Sequence, residues 1–347
     1  MGGGSFSSTD HATAVRGMKS SGTHFARSAT AARTGVFDVA DILDPKQLKN
    51  GMRESCFAEG FDDVLPVVVG LDCTGSMGSV PGLVQDHLPE LLDLMVEQGI
   101  TDHPNVMFIG FDDEHALPPT GVFQMSQFEI GHEELANSLN ELVIPKHGGG
   151  NSGEAYHIFF YAIANHTKLE CFEENGQKGF AFIIGDEPPY YDCKSPMKHG
   201  MLPSVAKACF GDSIQEEIPM VESIRKAAEM YHIFCIRPHD TSWGKDPKVS
   251  QQWREMFTAA GVNPQHVLEV ESWNSIIPTM ALSIGQRSGH EASELIEVLK
   301  SKGVEGVDAA STATKDIAAY TGVGGSLATR AEVDGDLELS GSGRDRG

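Results

Sequence analysis

No apolar run in this chain approaches the roughly 18 residues that a membrane-spanning helix needs, so a transmembrane helix is not expected. Basic residues are scarce: 26 Lys and Arg stand against 49 Asp and Glu, a formal net charge of −23. Phosphate contacts need clustered Lys and Arg, so this balance argues against nucleic acid and anionic lipid as partners. It also concentrates cations near the surface, although solubility accounts for most of it. Paired cysteines are missing as well. Cys56, Cys73, Cys171, Cys193, Cys209 and Cys235 contain no C-x-x-C pair, which leaves neither a zinc spacing nor a compact disulfide framework. Cys73, Cys209 and Cys235 lie in or beside apolar stretches and read as small buried residues. The N-terminus has no basic segment leading into an apolar one, so no signal peptide is expected. Phe6 stands where a myristoylation pattern wants Ser or Thr. The compartment these absences favour is the cytoplasm, with reduced thiols. Internal repeats are absent too.

What the chain does have begins at residue 64. The run VLPVVVGL (64–71) is short and valine-rich, the pattern of a strand buried on both faces. Asp72-Cys73-Thr74-Gly75-Ser76-Met77 follows directly. One acidic and two hydroxyl side chains occupy alternate positions in a turn containing Gly75 and Gly78. Three hard oxygen donors leaving a buried strand together suit a small hard cation. Open α/β sheets also bind their ligands beyond the carboxyl ends of the strands. Other chemistries fit less well. Cys73 interrupts the D-T-G triplet of an aspartic protease, and no second copy supplies a carboxylate dyad. A phosphoryl-transferring Asp wants a second acid where Thr74 stands. A plain N-cap opening a helix remains the bland alternative.

Two further loops have comparable chemistry. Residues 148–154 read Gly-Gly-Gly-Asn151-Ser152-Gly153-Glu154 and open an expected helix over 153–168, with Ile158, Phe159, Ala162 and Ile163 on one face. A glycine turn capped by Asn151 or Ser152 is the alternative there. The strand GFAFIIG (179–185) ends in Asp186-Glu187-Pro188-Pro189, where the prolines make an immediate helix improbable. Asp186 is the candidate ligand of this loop, with Glu187 a substitute.

The D-x-T-x-S spelling at Asp72, Thr74 and Ser76 resembles the first motif of the metal-ion-dependent adhesion site of von Willebrand factor A (vWA) domains, of the intracellular bacterial or phage type. The glycine loop resembles the family's second motif, and Asp186 stands where its last metal aspartate does. The resemblance implies a doubly wound, mostly parallel sheet with helices on both faces and one short edge strand. It implies Mg2+ (or Mn2+ or Ca2+) as cofactor, with Thr74 and Ser76 binding it directly at about 2.0–2.1 Å for magnesium. Asp72 and Asp186 would act directly or through water and hold the hydroxyls in place. Gly150 occupies the family's threonine position and has no side chain, so Asn151, Ser152 or a water would supply that oxygen. An open position on the cation would favour an Asp or Glu from a partner protein. Partners of such proteins include ATPases and stress or defence complexes. The expected role is adhesion as an adaptor or scaffold, with no catalytic residue. Two other roles stay open. One is a metal-dependent hydrolase or phosphatase with Glu187, Asp113 or His147 as base, and the other is a structural subunit with a degenerate site.

Three parts are expected along the chain: a Gly/Ser-rich arm with a short packing segment (1–63), the vWA-like domain (64–286), and an extension of one short helix and a disordered tail (287–347). Within the central part, strands are expected at 64–71, 105–111, 179–185, 231–237 and 266–270, with an edge strand around 122–130. Helices are expected at 83–98 (broken or restarted at Pro89), 132–143, 153–168, 213–230 and 273–286. The extension's helix is expected over 291–302. Asp112-Asp113-Glu114 follows the second strand at the same sheet end as the proposed site. Tyr190 and Tyr191 lie in a long loop suited to partner contacts. His157, like His147, reads as a packing or capping residue.

Overall fold

The computed structural model describes residues 26–57, 64–113, 123–145, 154–189 and 200–317. Its centre is a six-stranded sheet. In chain order the strands are β1 (Leu65–Asp72), β2 (Pro104–Phe111), β3 (Phe123–Met125), β4 (Gly179–Ile184), β5 (Tyr231–Pro238) and β6 (Val267–Val270). Across the sheet they run β3-β2-β1-β4-β5-β6, all parallel except the short edge strand β3. This is the doubly wound order, reversing its direction of growth at β1. Fold class is as expected from the sequence.

The period-2 geometry of the strands divides the core in two. Val68, Met107, Ile109, Ala181, Ile183, Ile233 and Cys235 face one half, together with the helices Tyr156–Asn165, Pro203–Phe210, Met220–Met230 and Pro247–Ala260. Val67, Val69, Leu71, Phe108, Phe182, Ile184, Phe234 and Ile236 face the other, with the helices Val80–His87, Pro89–Glu97, His132–Glu141 and Ile276–Arg287. Every residue of β1 and β2 is buried, as strands covered on both faces must be. Helix Tyr156–Asn165 is apolar almost all round and buried from Tyr156 to Ala164, so it lies inside its layer. Gly70 lets its Phe159 ring rest on the β1 backbone, and Gly110 does the same for Leu142 on the opposite face.

Several elements differ in extent from the sequence expectation. The helical region 83–98 is two helices: Pro89 opens the second at its first turn, a position where the missing N–H costs nothing. The helix expected from 213 begins at Met220, because Ile218–Pro219 pairs antiparallel with Gly200–Met201 first. Helix Pro247–Ala260 was not anticipated, yet it supplies the crossover that parallel β5 and β6 require. Beyond 286, helix Ala292–Ser301 is joined by a second, Val307–Thr314, and both sink apolar residues (Leu295, Leu299, Val307, Ala310) into the same core half. Upstream, helix Ala26–Thr34 docks through the Ser28 hydroxyl, which donates to Leu142 O at 3.0 Å. Arg53–Ser55 pairs in parallel with Thr167–Leu169. Tyr190, Tyr191, His147, residues 1–25 and the tail after 317 lie outside the described residues.

A candidate cation site at the switch point

β1 and β4 are hydrogen-bonded neighbours, with Leu71 opposite Ile184, so the loops that follow them leave the sheet side by side. These are the two loops carrying Asp72 and Asp186. The first stays tight because alternate side chains are anchored below it. Cys73 N donates to Phe111 O at 2.7 Å, and Cys73 and Met77 are fully buried. Gly78, at φ +61°, turns the chain into the next helix. Asp72, Thr74 and Ser76 are thereby left facing the sheet edge.

A series of short polar contacts runs through them. The Tyr156 hydroxyl donates to Asp72 Oδ2 at 2.8 Å. Asp72 Oδ1 accepts from the Thr74 amide at 3.0 Å and from its hydroxyl at 2.6 Å. Thr74 Oγ1 lies 3.0 Å from Ser76 Oγ, which donates to Asp186 Oδ1 at 2.8 Å. Asp186 Oδ2 accepts the Trp243 amide at 3.0 Å. Four residues picked from sequence (Asp72, Thr74, Ser76 and Asp186) therefore converge. Asn151 and Ser152 fall outside the described residues.

Sequence reasoning missed the groups that brace these contacts. Arg237, fully buried at the end of β5, donates to Asp186 O at 3.1 Å, Trp243 O at 2.7 Å, Asp246 O at 3.2 Å and the Ser250 hydroxyl. Its one legible signal was a charge closing an apolar run. Tyr156 is held by Gly185, where any Cβ would collide with the phenol oxygen, and by the Glu187 amide, which donates to that oxygen at 3.3 Å. Trp253 Nε1 donates to Glu187 O at 3.0 Å and its ring meets Tyr156 edge-on, with centroids 5.0 Å apart. Ser242 N donates to Ser76 O at 3.1 Å, so the segment after β5 ties the two loops together.

The edge is crowded with buried acid. Asp72, Asp112, Asp113, Glu154, Asp186 and Glu187 are all buried. Burial first, then the charge of Asp186, pushes the Asp72 carboxyl up to about 8, against the hydrogen bonds from Thr74 and Tyr156 that hold it down. Glu154 is pushed up to about 11 by burial and by Asp72, Asp113, Glu187 and Asp112. The Tyr156 phenol is raised well above its ordinary value, chiefly by burial and then by Asp72.

This donor set fits a hard divalent cation. The converging atoms are carboxylate and hydroxyl oxygens. One buried oxygen, Glu154 Oε2, has no hydrogen-bond partner among the described residues, which a nearby positive charge would relieve. Among those residues no three His, Cys, Asp or Glu side chains group closely enough to hold a metal by themselves, so a cation there would need hydroxyl ligands as well. Thr74 and Ser76 are the hydroxyls in place.

No family model matches this chain, and no curated protein matches it. Solved structures similar to it include von Willebrand factor A-type proteins. The pilus adhesin SpaC of Lactobacillus rhamnosus GG is 13% identical, with TM-score 0.44 over 67% of this chain and 31% of its own. Proximal thread matrix protein 1 of the mussel byssus, solved with a zinc-occupied MIDAS motif, is 11% identical, with TM-score 0.39 over 64% of this chain and 48% of its own. A von Willebrand factor type A protein of Catenulispora acidiphila is 12% identical, with TM-score 0.32 over 67% and 43%. The chain thus spans about a third of the first of these and under half of the other two. No described helix is long and apolar enough to cross a membrane.

Proposed function

We propose that this chain is a vWA-type protein-binding module that captures an acidic residue of a partner protein through a divalent cation, with Mg2+ as the first candidate and Mn2+ or Ca2+ as substitutes. Thr74, Ser76 and Asp186 would hold the ion, and Asp72 would fix the Thr74 hydroxyl. A cation held mainly by neutral hydroxyls keeps enough positive charge to attract a carboxylate at an open position. The observation that carries the reading is the convergence of Asp72, Thr74, Ser76 and Asp186 oxygens at the switch point, with the Thr74 and Ser76 hydroxyls each donating to a carboxylate and their oxygens 3.0 Å apart. Trp243 supports it: its backbone is tied to Asp186 and Arg237 while the residue is 49% exposed, the arrangement of an aromatic anchor beside a binding site.

On this reading the protein is an adaptor and not an enzyme, and its partners include ATPases or stress and defence complexes of the cytoplasm. Affinity capture from the native source tests the reading, run with Mg2+, with EDTA, and with Asp72→Ala. A partner retained only with Mg2+ and an intact Asp72 is the expected result. Equal retention in all three overturns the cation's role. Phosphoester turnover that disappears with Asp72→Ala, and no partner, overturns adhesion in favour of hydrolysis.

A further inference from the structure

Glu154 sits at the junction between the site and the core. It directly precedes Ala155 and the helix bearing Tyr156, and its carbonyl accepts the Tyr156 amide at 2.8 Å. Its side chain does not have the usual occupation of an acid at a helix start. No side chain caps that helix, and Glu154 Oε2 is buried without a hydrogen-bond partner among the described residues. The residue is 4% exposed. A buried carboxyl oxygen with no partner is costly. The charged groups acting on Glu154 are the acids Asp72, Asp113, Glu187 and Asp112, which puts it beside the proposed cation site.

We infer that Glu154 belongs to the cation site, facing with its free Oε2 the hydration shell of the ion held by Thr74, Ser76 and Asp186. This rests on the reading of a cation at that place. Glu154 is assigned to the ion's water and not to the ion itself, because its Oε2 makes no hydrogen bond with the Thr74 or Ser76 hydroxyl that would bind the ion. It is a positioning residue: its carboxyl would order the water of a bound ion. The structure thereby adds a third acid to Asp72 and Asp186, one supplied by the helix layer and not by a strand end.

Titration calorimetry of the full chain with MgCl2 and MnCl2 tests this, using wild type, Glu154→Gln and Asp72→Ala, with melting temperatures measured in parallel. The expected result is binding by wild type, little by Asp72→Ala, and binding weakened about 10–100-fold in Glu154→Gln, the usual cost of losing an outer-sphere partner. The metal-free Glu154→Gln protein should melt no lower than wild type, while its rise in melting temperature on adding Mg2+ should shrink. Equal affinity in Glu154→Gln and wild type, with Asp72→Ala still defective, overturns this inference and leaves the cation site standing. A lower melting temperature in the metal-free Glu154→Gln protein also overturns it, since the carboxylate would then be serving the fold. Absence of binding by wild type removes both the inference and the reading beneath it.

Discussion

A methyl group on Gly185 would occupy the place of the Tyr156 hydroxyl, the same hydroxyl that donates to Asp72 and accepts from the Glu187 amide. Two substitutions separate the sterics from the hydrogen bond. Tyr156→Phe keeps the ring and its edge contacts with Phe111 and Trp253, and should cost about 1 kcal/mol in urea unfolding. Gly185→Ala displaces the ring as well and should cost about 1–3 kcal/mol, with a larger loss of Mg2+ affinity by calorimetry. Equal effects would mean that the phenol's position does not matter to the site. Trp243 belongs to the same scale. Its backbone bonds to Asp186 and Arg237 do not depend on the side chain, so Trp243→Ala should leave the melting temperature and metal affinity unchanged. Capture of the partner should nevertheless weaken by about 2 kcal/mol or more. A Trp243→Ala protein that binds its partner normally would remove the indole from the interface.

Among the elements, the contact between β1 and helix Tyr156–Asn165 has least room. Phe159 lies where a Cβ of Gly70 would be, so Gly70→Ala must push that ring, and with it the first turn of the helix, off the sheet. The expected cost is about 1–3 kcal/mol, measured by chemical denaturation, together with weaker metal binding because Tyr156 rides on the same helix. Unchanged metal affinity in a destabilised Gly70→Ala would show that helix and site move independently. The element boundaries have equally local causes. β1 was legible because eight consecutive buried positions leave a valine-rich run. Helix Pro247–Ala260 carried its own signals: Asp246 caps the Lys248 amide, Pro247 opens the first turn, and Gly261 closes it at φ +80°. The pattern before Met220 misled because Ile214 and Ile218 are apolar at helical spacing, yet they pack on the core from outside the helix.

At the scale of the whole molecule, the two core halves close over the sheet and trap groups whose titration sets acid stability. His232 is pushed down to about 3 by burial and then by Arg287 and Lys178. His266, which is stacked on Phe234 and bonded through Nδ1 to Ile233 O at 2.8 Å, is pushed down to about 4, chiefly by burial. Both values lie below the ordinary histidine value of about 6.5, so the unfolded chain takes up these protons first. The stability they contribute is complete above about pH 6.5 and is lost as pH falls toward 4. Asp72 and Glu154, held up at about 8 and about 11, act in the opposite sense over that range, so the histidine contribution is read as a difference: as pH falls from 6.5 to 4, the urea midpoint of the double variant His232→Gln/His266→Gln should gain on that of the wild type. A difference independent of pH between 6.5 and 4 would contradict this account.

The sequence by itself determined the alternation of buried strands and amphipathic helices, and hence the parallel sheet. It also determined that Asp72, Thr74 and Ser76 share one turn, since both follow from patterns spanning ten residues or fewer. That Asp186 meets Ser76 was legible only as the end of another strand, and it became a contact once β4 paired with β1. Tertiary structure alone brought Tyr156, Glu154, Arg237 and Trp243 to the same edge. Tyr156 and Glu154 arrive there with the helix packed against β1 and β4. Arg237 closes a strand two places away in the sheet, and Trp243 lies in the segment that follows it. No local pattern marks such residues, because what selects them is the space and the charge left beside a site built by other segments.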